Sequence, residues 1–247
     1  MKTVHFIIER QDSPTSTPYT EEFLLPYHPA MNVVSSLMEI QKNPVTKDGK
    51  KTTPVVWECN CLEKVCGACT MVINGKVQQA CAALIDHLKQ PIRLGAARTF
   101  PVIRDLMIDR KVMFESLKKV HAWVEIDGTY QVKPAPRQNP KTATTAYEIS
   151  RCMTCGCCLE ACPNVNSGSK FIGASAIAQA HLFNLHPIGE YQKDERLEAL
   201  MDEGGLTSCG NSQNCIQACP KDIKLTDYIA KLNRDVNKKV IIDLFNK

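Results

Sequence analysis

The sequence predicts an α+β chain in which a small sheet domain precedes a helical one. Three observations carry this: two alternating strand patterns near the amino terminus, a hairpin signal at Asn74-Gly75, and a change to helical spacing after Phe100. At 247 residues the chain has room for two domains, each with a modest core. The division is placed after residue 108, giving 1–108 and 109–247.

Val4 to Arg10 and Tyr19 to Leu25 read as strands joined by a turn rich in Ser, Thr and Pro. Asn32 is positioned to cap a helix that presents Val33, Leu37 and Ile40 on one side. Met71-Val72-Ile73 and Val77-Gln78 flank Asn74-Gly75, a pair suited to the positive dihedrals of a type I′ turn. Ile92 to Leu94 adds a further strand. From Phe100 onward Val102, Leu106, Phe114, Leu117 and Trp123 are available for a helical apolar face. Three prolines in Lys133 to Pro140 mark a linker, and a helical region is expected from near Ala143. Further helices are expected at Ile172 to Asn184, Asp194 to Asp202 and Thr226 to Val236.

Composition is that of a globular protein, with 44% hydrophobic and 23% charged residues. The formal charge of +4 comes from 30 basic residues spread among 26 acidic ones without a basic stripe, which argues against nucleic acid as a partner. Met1 to Arg10 has strand character and lacks the regions of a signal peptide, so cytosolic residence is expected. The most apolar stretch, Phe171 to Phe183, is interrupted by Gln179 and His181 and falls short of the roughly eighteen residues a bilayer demands. Membrane contact is therefore expected only through a partner.

The thirteen cysteines stand out. An odd number in a chain large enough to build a core points to metal ligation under reducing conditions rather than to disulfides. Cys61, Cys66, Cys69 and Cys81 spell C-x4-C-x2-C-x11-C, the plant-type [2Fe-2S] spacing, with Gly67 between two ligands to let the backbone approach the cluster. Cys152, Cys155, Cys158 and Cys162-Pro163 spell C-x2-C-x2-C-x3-C-P, the bacterial ferredoxin run, in which the fourth cysteine serves the other cluster of a pair.

The partner run is Cys209, Cys215 and Cys219-Pro220, with Ser212 where a middle ligand is expected. Cys219 then completes a [4Fe-4S] set with Cys152, Cys155 and Cys158, and Cys162, Cys209 and Cys215 remain for a [3Fe-4S] cluster. This uses eleven of the thirteen cysteines, leaving Cys59 and Cys157 off-register and free. Two alternatives stay open: zinc at the first group, and a Ser212 alkoxide completing a four-iron cluster, although a hydroxyl is much harder to deprotonate than a thiol.

Three clusters in one chain suit the relay of single electrons. The six histidines are scattered, and neither G-x-G-x-x-G nor a P-loop is present, so any flavin or organic substrate is expected on another chain.

With both cysteine groups placed, the chain resembles the iron-sulfur subunits of succinate dehydrogenase and fumarate reductase over nearly its full length. Pro101-Val102-Ile103-Arg104-Asp105-Leu106, Asp109 and Phe114 are similar to that family's connecting segment, and Cys219-Pro220-Lys221 to its final ligand run. The resemblance implies a β-grasp plant-type [2Fe-2S] ferredoxin domain followed by an α-helical bacterial-ferredoxin-like domain. It also implies an FAD-containing flavoprotein partner and a membrane anchor carrying haem b and menaquinone, with the chain peripheral on the cytoplasmic side of the cell membrane. No residue is expected to be catalytic in this chain. Asn164, Val165 and Gly210 stand where ubiquinone-reducing members carry quinone-binding aromatic residues and a histidine. That departure resembles menaquinone-linked bacterial members. Fumarate reduction, a soluble multi-cluster ferredoxin-like shuttle and a zinc-stabilised interaction module are the competing readings.

Overall fold

The computed structural model describes residues 2–125 and 137–245. The chain forms two compact units, one of Met1–Arg110 with Met153–Glu160, the other of Lys111–Cys152 with Ala161–Lys247. In chain order the strands are β1 (Thr3–Arg10), β2 (Tyr19–Pro26), β3 (Thr70–Ile73), β4 (Lys76–Gln79), β5 (Ile92–Gly95), β6 (Val102–Arg104) and β7 (Met107–Ile108). The helices are α1 (Val33–Lys42), α2 (Lys111–Lys119), α3 (Pro140–Ser150), α4 (Cys157–Glu160), α5 (Gly173–Leu185), α6 (Lys193–Met201), α7 (Asn214–Gln217) and α8 (Leu225–Phe245).

In the first unit five strands form one mixed sheet in the order β2-β1-β5-β3-β4. β1 runs antiparallel to β2 and parallel to β5, and β3 is antiparallel to both β4 and β5. Alternation puts Val4, Phe6 and Ile8 wholly inside, against Phe23, Ile92, Leu94, Met71 and Ile73. α1 covers this face with Val33, Leu37 and Ile40. Its start is a capping box: Asn32 Oδ1 accepts the Ser35 N–H at 2.8 Å, and Ser35 Oγ accepts the Asn32 N–H at 3.0 Å. Asn74 and Gly75 turn the β3–β4 hairpin at φ of 49° and 78°, the left-handed pair a type I′ turn requires. A single helix across a mixed five-stranded sheet is the β-grasp arrangement.

The helical face expected from Val102 through Trp123 forms only in part. Residues 102–108 are instead a small hairpin, β6–β7, that bends at Asp105 with φ of 48°. The cause is a charge network beyond the reach of local periodicity. The buried Asp105 carboxylate accepts Arg10 Nε at 2.8 Å and the backbone N–H groups of Gln11 and Val56 at 3.1 and 2.8 Å. Arg10, itself wholly buried, also pairs with Glu21 and donates to Thr53 Oγ1 at 3.0 Å. Only α2 is helical in that stretch, and it buries Met113 while Phe114 and Trp123 stay 49% and 40% exposed.

The second unit is helical. Ala174, Ala176, Ile177, Ala178 and Ala180 of α5 are all buried, and their small side chains let α2, α3, α6 and α8 pack around it. Arg196 of α6 is fully buried and donates to the carbonyls of His121, Trp123 and Gly189, which ties down the chain after α2. His181 of α5 is 6% exposed, stacks on Tyr228 of α8 at 5.5 Å, and has no hydrogen-bond partner among the described residues on either ring nitrogen. Pro140 opens α3 at its first turn under an Asn139 cap, so the helix starts ahead of Ala143. The first half of the linker expected at 133–140, residues 133–136, lies outside the described residues. α8 continues past Val236 to Phe245.

Candidate metal centres

The loop 61–67 is shaped by its first cysteine. Leu62, Lys64 and Gly67 all take positive φ, at 60°, 56° and 70°, and these left-handed steps turn backbone amides inward. Cys61 Sγ accepts the N–H groups of Glu63, Val65 and Cys66 at 3.4, 3.3 and 3.3 Å. The Glu63 and Val65 amides lead in drawing the Cys61 thiol down to about 7, toward the thiolate form that ligates metal. Cys66 Sγ accepts from Ala68 N–H at 3.5 Å. The two left-handed non-glycine residues, Leu62 and Lys64, cost roughly 1–2 kcal/mol each, and a bound anionic centre is what such a cradle suits.

The hairpin supplies the remaining two sulfurs. Cys69 precedes β3 and Cys81 follows β4, and the Ala80 N–H bonds the Cys69 carbonyl at 3.0 Å. Burial pushes the Cys69 thiol up to about 12, with the neighbouring Cys81 and Cys66 adding to it. Cys61, Cys66, Cys69 and Cys81 are thus brought together. Cys59 stands beside three of them, half-buried against the sheet core, and its thiol is raised first by burial and then by those neighbours.

Cys155 and Cys158 are buried in the first unit, where Thr154 and Gly156 turn the chain at φ of 48° and 83°. Glu160 Oε2 accepts the Thr99 N–H at 2.9 Å and Arg110 Nη2 donates to the Thr154 carbonyl at 2.9 Å, anchoring this short return of the chain. Gly67 lies directly on Cys155: a Cβ at Gly67 would stand 2.6 Å from the Cys155 Cβ and 2.7 Å from its Cα. Cys157, off-register by sequence, is wholly buried and receives Gln79 Nε2 at 3.0 Å. Interaction with the neighbouring Cys157 thiol lowers Cys155 to about 7, and interaction with Cys155 together with burial raises Cys157. Cys152 follows α3 and Cys219 follows α7, both in the second unit.

Within the second unit Cys162, Cys209 and Cys215 converge. The buried Cys215 thiol is raised by desolvation first and then by Cys162 and Cys209. Asn211 and Gln213 take φ of 52° and 62° between the last two cysteines, and Ser212 between them is exposed. Asn164 secures the loop by donating to the Ser208 carbonyl at 2.7 Å, and its amide fills the space where a Cβ on Gly210 would lie, 3.0 Å away. The sequence had marked Asn164 and Gly210 only as a departure from a quinone-site pattern. Among the described residues no group of three or more His, Cys, Asp or Glu side chains is arranged to hold a single metal ion. Among those residues no helix is long and apolar enough to cross a membrane.

Comparison with known proteins agrees with this layout. The profile of the 2Fe-2S iron-sulfur cluster binding domain matches residues 5–115, and that of the 4Fe-4S dicluster domain matches residues 148–223. The succinate dehydrogenase iron-sulfur subunit of Bacillus subtilis is 63% identical over 99% of this chain and 96% of its own length. The fumarate reductase iron-sulfur subunit of Wolinella succinogenes is 28% identical over 95% of this chain and 96% of that protein. In the solved Mycobacterium smegmatis Sdh1 complex in the apo form, one chain shares the fold, with a TM-score of 0.76 over 96% of both chains at 22% identity. The chain belongs to the family of succinate dehydrogenase iron-sulfur subunits, an electron-carrying part of an oxidoreductase complex.

Proposed function

We propose that Cys61, Cys66, Cys69 and Cys81 hold a [2Fe-2S] cluster, Cys152, Cys155, Cys158 and Cys219 a [4Fe-4S] cluster, and Cys162, Cys209 and Cys215 a [3Fe-4S] cluster. The chain then passes electrons from an FAD-containing flavoprotein that oxidises succinate to a membrane anchor bearing haem b and menaquinone. When bound, the clusters supply one-electron redox chemistry that no side chain of this protein has. The residues do the rest: amide donors stabilise the Cys61 thiolate, burial shields Cys69 and Cys215, and Asn164 and Glu160 hold the ligand loops in place. The observation that carries the reading is the convergence of four cysteines in the first unit and three in the second, at spacings that belong to two different ferredoxin patterns.

Exposed apolar side chains support the two partners. Leu62 and Val65, on the loop bearing Cys61 and Cys66, are 49% and 54% exposed, and the end of α8 displays Ile241, Ile242, Leu244 and Phe245. The chain itself is peripheral, at the cytoplasmic side of the cell membrane. Succinate oxidation is favoured over fumarate reduction because identity to the Bacillus subtilis succinate dehydrogenase subunit is 63% against 28% to the Wolinella succinogenes fumarate reductase subunit. The division into 1–108 and 109–247 is proposed as the functional one, the first part receiving electrons and the second delivering them.

The test is paramagnetic resonance on the complex isolated from membranes. Oxidised complex is expected to show a [3Fe-4S] signal, and Ser212→Cys to weaken it by admitting a fourth iron. A native complex without that signal overturns the ligand partition.

A further inference from the structure

Arg110 is the last residue before α2 and lies half-buried in the first unit. Its guanidinium reaches across 44 residues of sequence to donate from Nη2 to the Thr154 carbonyl at 2.9 Å. That carbonyl belongs to the peptide bond Thr154 shares with Cys155, and Thr154 takes a left-handed φ of 48° just before the buried cysteine. From Nη2 to the Cys155 sulfur the path is this hydrogen bond and five covalent bonds, so the two lie within about 10 Å. Arg110 takes part in none of the ion pairs found among the described residues, and its Nε–H is buried without a hydrogen-bond partner among them. Glu160, on the same short return of the chain as Thr154, is engaged instead by the Thr99 N–H at 2.9 Å. A guanidinium does not lose its proton in a protein, so a permanent cation stands beside Cys155. Holding a cation out of water without a counter-charge is costly, and an anionic centre on the neighbouring sulfur supplies one.

We propose that Arg110 is a fixed cation that raises the reduction potential of the [4Fe-4S] cluster from its seat on the Thr154–Cys155 peptide. The inference rests on the reading of Cys155 as a ligand of that cluster. Uptake of one electron there makes and breaks no bond and takes up no proton, and it leaves one more negative charge within reach of the guanidinium. Attraction between two charges falls only inversely with distance, and a partly buried pair is screened by salt much less than an exposed one. The reduced form is therefore stabilised over the oxidised one, net charge and solvent exposure being among the factors that set such potentials. The hydrogen bond to the Thr154 carbonyl fixes where the charge sits, and the charge itself shifts the equilibrium.

The test is a redox titration of the intact membrane complex followed by paramagnetic resonance, with all three clusters read in the same sample. Arg110→Gln keeps an amide donor for the Thr154 carbonyl and removes the charge, Arg110→Met removes both, and Arg110→Lys keeps the charge. Arg110→Gln and Arg110→Met are each expected to lower the equilibrium constant for [4Fe-4S] reduction about tenfold, which for a one-electron couple is about 59 mV. Arg110→Lys restores most of the difference, and the shift is largest at the [4Fe-4S] cluster. A native [4Fe-4S] midpoint in Arg110→Gln overturns the proposal, as does a lysine variant displaced as far as the methionine one, or an equal shift of all three clusters. Should Arg110→Met not assemble, Arg110→Gln and Arg110→Lys decide the matter, since equal midpoints in those two overturn it. Cys155→Ala separates the two levels: a surviving [4Fe-4S] signal shows that the ligand reading itself is wrong, whereas its loss, together with an unmoved Arg110→Gln midpoint, defeats the role of the charge alone.

Discussion

Gly67→Ala addresses the closest approach in the first unit. Two separate costs arise. The backbone at Gly67 has φ of 70°, and an alanine held there costs roughly 1–2 kcal/mol. The new methyl would also lie 2.6 Å from the Cys155 Cβ and 2.7 Å from its Cα, where carbon contacts ordinarily relax to about 3.5–4.0 Å. Because the obstacle is backbone and a first side-chain atom, no rotamer change relieves it, and one loop must retreat by about 1 Å. Overpacking of this kind adds about 1–3 kcal/mol, for a total of about 2–5 kcal/mol. Gly49 provides the control: it has φ of 78° with open space around it, so Gly49→Ala incurs the backbone cost alone. The assay is thermal denaturation of the isolated complex, where each kcal/mol lowers the midpoint by roughly 2–4 °C for a chain of this size, together with iron and sulfide content. Gly67→Ala is expected to melt earlier than Gly49→Ala and to lose iron. Equal melting of the two variants with full cluster content would refute the close packing of Gly67 on Cys155.

Asp105→Ala leaves the buried Arg10 charge without its carboxylate and should cost about 3–5 kcal/mol, read as an earlier thermal transition, with Asp105→Asn intermediate. His181 is held down to about 4 by burial first, then by Lys231 and Lys193 against the opposing pull of Asp235. An unfolded chain takes up that proton near pH 6.5, so stability is complete above 6.5 and declines between there and about 4, by up to about 3 kcal/mol. His181→Phe is expected to flatten this acid limb of the denaturation profile, and an unchanged limb counts against the burial argument. Asn32→Ala removes the acceptor for the Ser35 N–H and should lower stability by about 1 kcal/mol in urea unfolding, with little effect on the clusters.

Much of the first unit could be read locally. Asn74-Gly75 announces its own turn, Asn32 its own cap, and the alternation of Val4, Phe6 and Ile8 its own sheet face, because each depends on neighbours in the chain. The cysteine spacings were legible for the same reason, and the family resemblance they supported is borne out. What escaped was decided at a distance. Leu62 and Lys64 carry no sign of left-handed backbone, which is imposed by amides gathering around Cys61 Sγ. Val102 and Leu106 have helical spacing, but Asp105 is drawn to Arg10 and Val56, and the chain there becomes a hairpin. Pro140 was read as the end of an extended linker when it lies in the first turn of α3. Cys157 was set aside as free, since nothing in the order of residues predicts that Gln79 would be its donor.

The short return of residues 153–160 to the first unit has a consequence for inheritance. The two recognised family segments, 5–115 and 148–223, suggest cassettes that recombination could exchange. A crossover between them would import a foreign floor beneath Gly67 and a foreign neighbour for Gln79. The recipient would need a matching glycine and a matching thiol at once, so gene shuffling at that seam should be selected against and the halves should travel as a pair.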